Sequence, residues 1–178
     1  MKKISELKFF LLKLFGFYFF WLVSSHFLSY KFAFFSRIWL FFYHIFLKSA
    51  SFITISFLKF FDYDFVHSYR QFALIGSPGI IVDNPCVGFG LTFMFWSLII
   101  SYPGKKISKF FVIIIGTIIL VLTNGIRMFV LVTGIKFNLD INPVEIHDLF
   151  NNIIYIIIFM IWFVWINYFN KTNEKKLD

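Results

Sequence analysis

Long apolar runs constrain the fold of this chain more than any other feature of its sequence. A helix needs roughly 20 apolar residues to cross a bilayer core of about 30 Å. Runs of about that length occupy residues 9–29, 87–102, 108–131 and 148–168, and 60% of the 178 residues are apolar. Soluble domains contain far fewer apolar residues. The sequence therefore predicts an all-α fold, a polytopic membrane helix bundle with about four spans that forms a single membrane domain over residues 1–178.

Positive charge between the runs predicts their orientation. The chain has a formal net charge of +8, and its lysines are concentrated in short flanks such as Pro103-Gly104-Lys105-Lys106. Short basic loops are typical of the cytoplasmic side of membrane proteins. The N-terminal lysines and the tail at residues 171–178 carry the same signal, so both ends are predicted to be cytoplasmic. These charges are expected to meet membrane lipids rather than nucleic acid, and the 9–29 run is expected to be an uncleaved anchor.

A fifth apolar stretch, residues 37–60, carries a polar stripe. On a helix, its five polar residues fall within about 80° of arc. They are Arg37, His44, Lys48, Ser51 and Lys59. If the stretch spanned the membrane, Lys48 would lie near the bilayer centre at a cost of about 2.5 to 3.5 kcal/mol. We therefore favour an amphipathic helix at the outer interface, or a re-entrant one; the alternative is a fifth span with an outside N-terminus.

Residues 62–85 differ from the apolar runs because they are acidic and contain short β-prone stretches. Gly76-Ser77-Pro78-Gly79 separates residues 71–75 from 80–82, which predicts a small extracytoplasmic β-hairpin. The predicted organisation has four parts: residues 1–61 with the first span and the amphipathic helix, 62–85 as the extracytoplasmic segment, 86–170 as a catalytic three-helix region, and 171–178 as a cytoplasmic tail.

Three residues of complementary chemistry are predicted to share one side of the membrane. Cys86 precedes the second run, Arg127 lies near the end of the third, and His147 precedes the fourth. At 1.5 Å per residue, the helix from Cys86 to the Pro103 turn is about 25 Å long, and the return to Arg127 is about 27 Å. The polar loop after Arg127 is too short to cross the membrane. A nucleophile, a cation and a base are therefore expected to meet at the outer boundary.

These residue types suit acyl transfer. A cysteine pKa of about 8.5 can fall to roughly 3.5 to 7.5 near a helix N-terminus, an arginine or a protonated histidine. We expect a helix to open at Cys86, with Gly88 and Gly90 allowing a substrate backbone to approach. Arg127 could stabilise an oxyanion, and a nearby imidazole could activate the thiol. With one cysteine, neither an intramolecular disulfide nor a cysteine-rich metal site can form, and no metal or cofactor is expected.

Residue chemistry alone leaves alternatives open. His26, His44 and His67 can also lie outside, so His147 is not singled out as the base. Either Glu145 or Asp148 could orient the His147 ring. A membrane cysteine can also serve as a small apolar filler, and an arginine near a helix end can snorkel to the headgroups.

A resemblance extends this interpretation. Asn84-Pro85-Cys86-Val87-Gly88, Asn124-Gly125-Ile126-Arg127 and His147 resemble the motifs of the exosortase/archaeosortase family of membrane cysteine transpeptidases, over about residues 70–168. The chain looks most like the small Bacteroidetes-type members, whereas its first 60 residues match no motif of the family. The resemblance implies that Cys86 is the nucleophile, that Arg127 stabilises the transition state and that His147 is the acid/base.

The resemblance also implies partners and a location. Substrates would be exported proteins ending in a short motif, a transmembrane helix and a basic tail, and the acceptor would be a surface glycan or lipid. The protein would lie in the bacterial cytoplasmic (inner) membrane with its site facing the periplasm or exterior. Two other functions stay open: a non-enzymatic membrane subunit of an envelope export or assembly system, and a lipid-modifying acyltransferase that uses the same thiol.

Overall fold

The computed structural model describes residues 2–82, 87–137 and 143–170, which form helices and one small sheet. A π-helical turn at Val23–Leu28 follows the first helix, and another at Trp165–Asn170 follows the last. The helices are α1 Lys2–Leu22, α2 Ser29–Lys31, α3 Ala33–Phe60, α4 Phe89–Ser101, α5 Lys106–Lys136 and α6 Pro143–Val164; the strands are β1 Phe65–Ser68, β2 Gln71–Leu74 and β3 Ile80–Ile81.

Four helical segments are long and apolar enough to cross a membrane, as expected of a multi-pass helical bundle. They are Leu7–Phe27, Ala33–Phe60, Lys106–Lys136 and Glu145–Tyr168. This number agrees with the sequence prediction, but the set differs. The 13-residue α4 is only about 20 Å long and is shorter than the predicted span 87–102. It begins late because Gly88 has a left-handed φ of +74°, which is incompatible with an α-helix.

The polar stripe predicted for residues 37–60 does not form one continuous surface. Ser51 lies in the buried face of α3, whereas Arg37, Lys48 and Lys59 are exposed. The buried face consists of Phe46, Leu47, Ala50, Ser51, Thr54 and Leu58. Helix α3 is thus continuous over 28 residues with one packed face, and its placement at the outer interface stays a prediction.

The predicted hairpin is confirmed, and a third strand extends it. β2 pairs with β3 in antiparallel fashion, with Phe72 opposite Ile80. β1 pairs with the other edge of β2, also antiparallel. Phe72 and Leu74 point to the buried face of the sheet. Lys136, at the end of α5, donates from Nζ to the Ile75 carbonyl over 2.5 Å, so the turn after β2 is attached to that helix.

The chain divides into two compact units, the first of which comprises residues 1–41, 90–117 and 156–178. Here Phe10 packs edge-on against Tyr102 with ring centroids 5.5 Å apart, and Trp21 stacks on Phe93 at 5.8 Å. The earlier residue of α1, Phe10, contacts the chain just after α4, whereas the later residue, Trp21, contacts the first half of α4. Helices α1 and α4 are therefore antiparallel. The π-helical turn after α6 begins at Trp165, which donates from Nε1 to Ser108 Oγ over 2.7 Å.

The second unit comprises residues 42–89 and 118–155 and contains the sheet. In it, α3 and α5 approach closely at Gly125, where an added Cβ would lie 2.6 Å from Ile53 Cβ. Thr54 Oγ1 lies within donating distance of two carbonyls, Ala50 O at 2.9 Å and Gly125 O at 3.0 Å. Small residues and hydroxyl groups at helix contacts are typical of membrane bundles. The single membrane domain over residues 1–178 stays a prediction.

Candidate functional site

Arg127 is a completely buried charge in the second unit. It has 0% relative exposure and lies on α5, which is otherwise mostly apolar. Its Nη1 donates to Asn151 Oδ1 on α6 over 3.4 Å. An arginine that snorkelled to the headgroups would extend away from the bundle, whereas this one packs into it. A buried guanidinium is retained at a substantial desolvation cost, so its polar neighbours are of functional interest.

His147 joins the same chain of contacts. It lies in the first part of α6, four residues before Asn151, so the two side chains share one helix face. Asn151 Nδ2 lies 3.1 Å from His147 Nδ1. The structure therefore links α5 to α6 through the series Arg127–Asn151–His147. The His147 side chain keeps 27% relative exposure, so part of its ring remains accessible.

The two carboxylates considered for orienting His147 are in different settings. Asp148 Oδ1 lies 3.6 Å from His147 Nδ1, and the Asp148 side chain is 70% exposed. This distance is within ion-pair range but beyond a good hydrogen bond. Glu145 is exposed in the first turn of α6. Asp148 thus contacts the ring through its carboxylate.

Asn124 connects this cluster with the start of α4. It is 2% exposed and lies three residues before Arg127, on the same face of α5. A Cβ added at Gly88 would lie 3.1 Å from Asn124 Cγ. The space that the missing side chain leaves at Gly88 is therefore filled by Asn124. Likewise, Gly90 packs against Trp21, with a built Cβ 3.1 Å from the indole. The approach of a substrate backbone to the two glycines stays a prediction.

Cys86 lies outside the described residues together with residues 83–85, and the described chain ends at Val82 and resumes at Val87. Before it, Val82 is 1% exposed, and its carbonyl accepts from Arg70 Nε over 2.8 Å. After it, Val87 is 1% exposed and Gly88 meets Asn124. The helix itself begins at Phe89, three residues later than expected.

Two residues of this arrangement were missed by sequence reasoning. Asn151 could have been found, because it lies one helical turn after His147 and, with Asn152, interrupts an apolar run. Arg70 could not, because its bonds with Val82 depend on the pairing of residues twelve positions apart. Within residues 2–82, 87–137 and 143–170, no group of three or more His, Cys, Asp or Glu side chains is placed to hold a metal ion.

Comparisons with protein-family models, with curated proteins and with solved structures found no match to this chain. The resemblance described above therefore rests on the quoted residues themselves.

Proposed function

We propose that this chain is a membrane-embedded cysteine peptidase or transpeptidase of the exosortase type. Cys86 is the nucleophile, Arg127 stabilises the oxyanion and His147 transfers protons. The substrates are exported proteins with a C-terminal motif, a transmembrane helix and a basic tail, and the site faces the periplasm or exterior of a bacterial inner membrane. The residues that carry this proposal come from the sequence motifs, and the geometry adds support at Arg127, Asn124 and His147.

The observation that carries the proposal is the chain of contacts that leads from the buried Arg127 to the partly exposed His147. A scaffold protein gains little from a guanidinium with no exposed surface, because hydrophobic residues of similar volume would pack there without the desolvation penalty. Asn124, one turn away on α5, touches the glycine that follows the only thiol by two residues. A cation, an imidazole and a cysteine-bearing segment thus belong to one unit.

The proposed reaction proceeds through a thioester. His147 accepts the proton of the Cys86 thiol, and the thiolate sulfur bonds to the substrate carbonyl carbon. The carbonyl oxygen takes up the negative charge, which Arg127 stabilises. Collapse of this intermediate breaks the C–N bond, and the departing amine takes the proton from His147. Water then releases an acid from the thioester, or an amine of a glycan or lipid acceptor forms a new amide.

Thiol reactivity tests this proposal without a known substrate. Purified protein in detergent micelles is treated with iodoacetamide over a range of pH, and alkylation of Cys86 is followed by mass spectrometry. We expect wild-type Cys86 to react at a pH well below the usual thiol pKa of about 8.5, because a cation and an imidazole favour the thiolate. His147→Gln should move the reaction to higher pH, whereas His67→Gln, a control histidine on β1, should not.

An ordinary thiol profile that His147→Gln leaves unchanged would contradict the proposal and favour the scaffold function. In cells, a candidate substrate with the three-part C-terminal signal should accumulate uncleaved in Cys86→Ser. Normal processing in that variant would also reject a thiol enzyme.

A further inference from the structure

His147 Nδ1 has two neighbours that require opposite protonation states. Asn151 Nδ2 lies 3.1 Å away, and an amide NH₂ group only donates, so this contact requires a lone pair on Nδ1. Asp148 Oδ1 lies 3.6 Å from the same nitrogen, and a carboxylate only accepts, so pairing with it requires a proton on Nδ1. The tautomer of His147 therefore depends on which neighbour it engages.

Arg127 decides how the Asn151 amide is turned. The oxygen and nitrogen of an amide can be exchanged by rotation, and their assignment follows from the hydrogen-bond network. A guanidinium has donors only, so the Asn151 atom facing Arg127 Nη1 at 3.4 Å must be the oxygen. The NH₂ group then points to His147. The buried cation on α5 thus fixes the donor that the imidazole on α6 meets.

We propose that Asn151 is a positioning residue that holds neutral His147 with its proton on Nε2. Asp148 is the partner of His147 in the other tautomer, which carries its proton on Nδ1. In the Asn151-bound state, Nδ1 accepts a hydrogen bond and Nε2 donates. In the Asp148-bound state, Nδ1 donates and Nε2 has a free lone pair. The observed distances favour the Asn151-bound state, since only that contact is within hydrogen-bond range.

The consequence for catalysis rests on the proposed function. While Asn151 occupies Nδ1, the Nε2–H group can donate to a thiolate but cannot take the proton of a thiol. To accept a proton at Nε2, the ring must first release its Nε2 proton to water, take up a proton from water on Nδ1, and turn to Asp148. Exchange between Asn151 and Asp148 would therefore separate a resting state of His147 from a state competent to act as a base.

Nitrogen-15 NMR of the full chain in nanodiscs, with labelled histidine, tests this proposal directly. A protonated ring nitrogen and a bare one have well-separated shifts, and His147→Gln identifies the signals. In wild type we expect Nδ1 to be unprotonated, with the nitrogen-15 chemical shift of a hydrogen-bond acceptor. Asn151→Leu removes the amide at similar volume and should protonate Nδ1 through Asp148. Asn152→Leu, an exposed neighbour on α6, should leave the spectrum unchanged.

Asn151→Asp provides a second variant that keeps the contact with Arg127, in case the leucine variant does not fold. Its carboxylate should convert His147 to the tautomer protonated on Nδ1. A wild-type Nδ1 that carries the proton, or an Nδ1 signal unaffected by whichever Asn151 variant folds, would overturn the proposal. The readout needs neither substrate nor cleavage. Correct tautomers in a protein that cleaves nothing would therefore refute the enzymatic function while leaving the Asn151 contact intact.

Discussion

A series of polar contacts joins α5 to α6 in the second unit. Arg127 and Asn124 are buried on one face of α5, and Asn151 extends the contacts to His147. Gly88 completes this arrangement from the α4 side, because its φ of +74° and its missing Cβ let the backbone pass against Asn124. A substitution at any of these residues therefore removes or alters a specific contact, in addition to changing the charge or size of the side chain.

Gly88→Ala is expected to destabilise the protein by about 1 to 3 kcal/mol, because alanine is strained at this φ and its Cβ would press on the buried Asn124 side chain. Thermal unfolding in detergent measures the effect. Gly16→Ala is the matched control: nothing lies within 4 Å of its built Cβ, and alanine favours a helix. Equal unfolding temperatures for the two variants would show that the left-handed conformation of Gly88 is not required.

At the scale of elements, the contact between α3 and α5 holds the residues of the site in place. Helix α5 can lie against α3 only because Gly125 has no side chain, and Gly125 is flanked by Asn124 and, two residues on, by Arg127. Thr54 adds a hydroxyl hydrogen-bonding contact between the two helices at this same level. The close approach thus sets both the packing of the unit and the position of the cation.

Gly125→Ala should cost about 1 to 3 kcal/mol through overpacking, because its Cβ would meet Ile53 Cβ and the Ala50 carbonyl, neither of which can rotate away. It should also weaken the low-pH alkylation of Cys86, since displacement of α5 moves Arg127. Unfolding in detergent and the iodoacetamide assay measure the two effects. A fully stable and reactive variant would mean that the helices are less tightly packed here than the structure indicates.

Sequence patterns predicted some elements and not others for identifiable reasons. The hairpin was predictable because Gly76-Ser77-Pro78-Gly79 marks its turn, whereas β1 offers only four residues with no turn signal of its own. The late start of α4 depends on the φ of Gly88, to which hydropathy is insensitive. Periodicity placed Ser51 with the lysines of α3, but burial is decided by the partner helix, and that partner is distant in sequence.

At the scale of the whole molecule, the lysines of the first unit bear on its orientation in the membrane. In the first unit, α1 begins beside the turn between α4 and α5, as the ring contact of Phe10 with Tyr102 shows. Lys13 is close enough to Lys109 for their charges to repel, Lys105 lies in the turn, and Lys106 is the first residue of α5. Cytoplasmic loops are rich in lysine and arginine, and a cytoplasmic location for the end of the first unit that carries the turn stays a prediction.

Cysteine labelling tests this orientation. In a Cys86→Ser background, a single cysteine replaces either the exposed Ser68 on β1 or the exposed Lys105 in the turn. An impermeant maleimide added to intact spheroplasts should label Ser68→Cys at once, but Lys105→Cys only after lysis. The opposite labelling pattern would show that the protein has the reverse orientation in the membrane, with the candidate site on the cytoplasmic side.

The burial of Arg127 also has a consequence for biosynthesis. Asn151 is translated after Arg127, so α5 reaches the membrane while its arginine still lacks this partner. On insertion scales an arginine costs at most about 2.5 to 3.5 kcal/mol, the value at a helix centre, and each Ile, Leu, Val or Phe offsets about 0.3 to 0.6 kcal/mol. The uninterrupted apolar residues at 110–115 and 118–122 can offset that cost. The strongly apolar first half of α5 can thus keep this helix in the membrane until α6 has been synthesised and Asn151 can contact Arg127.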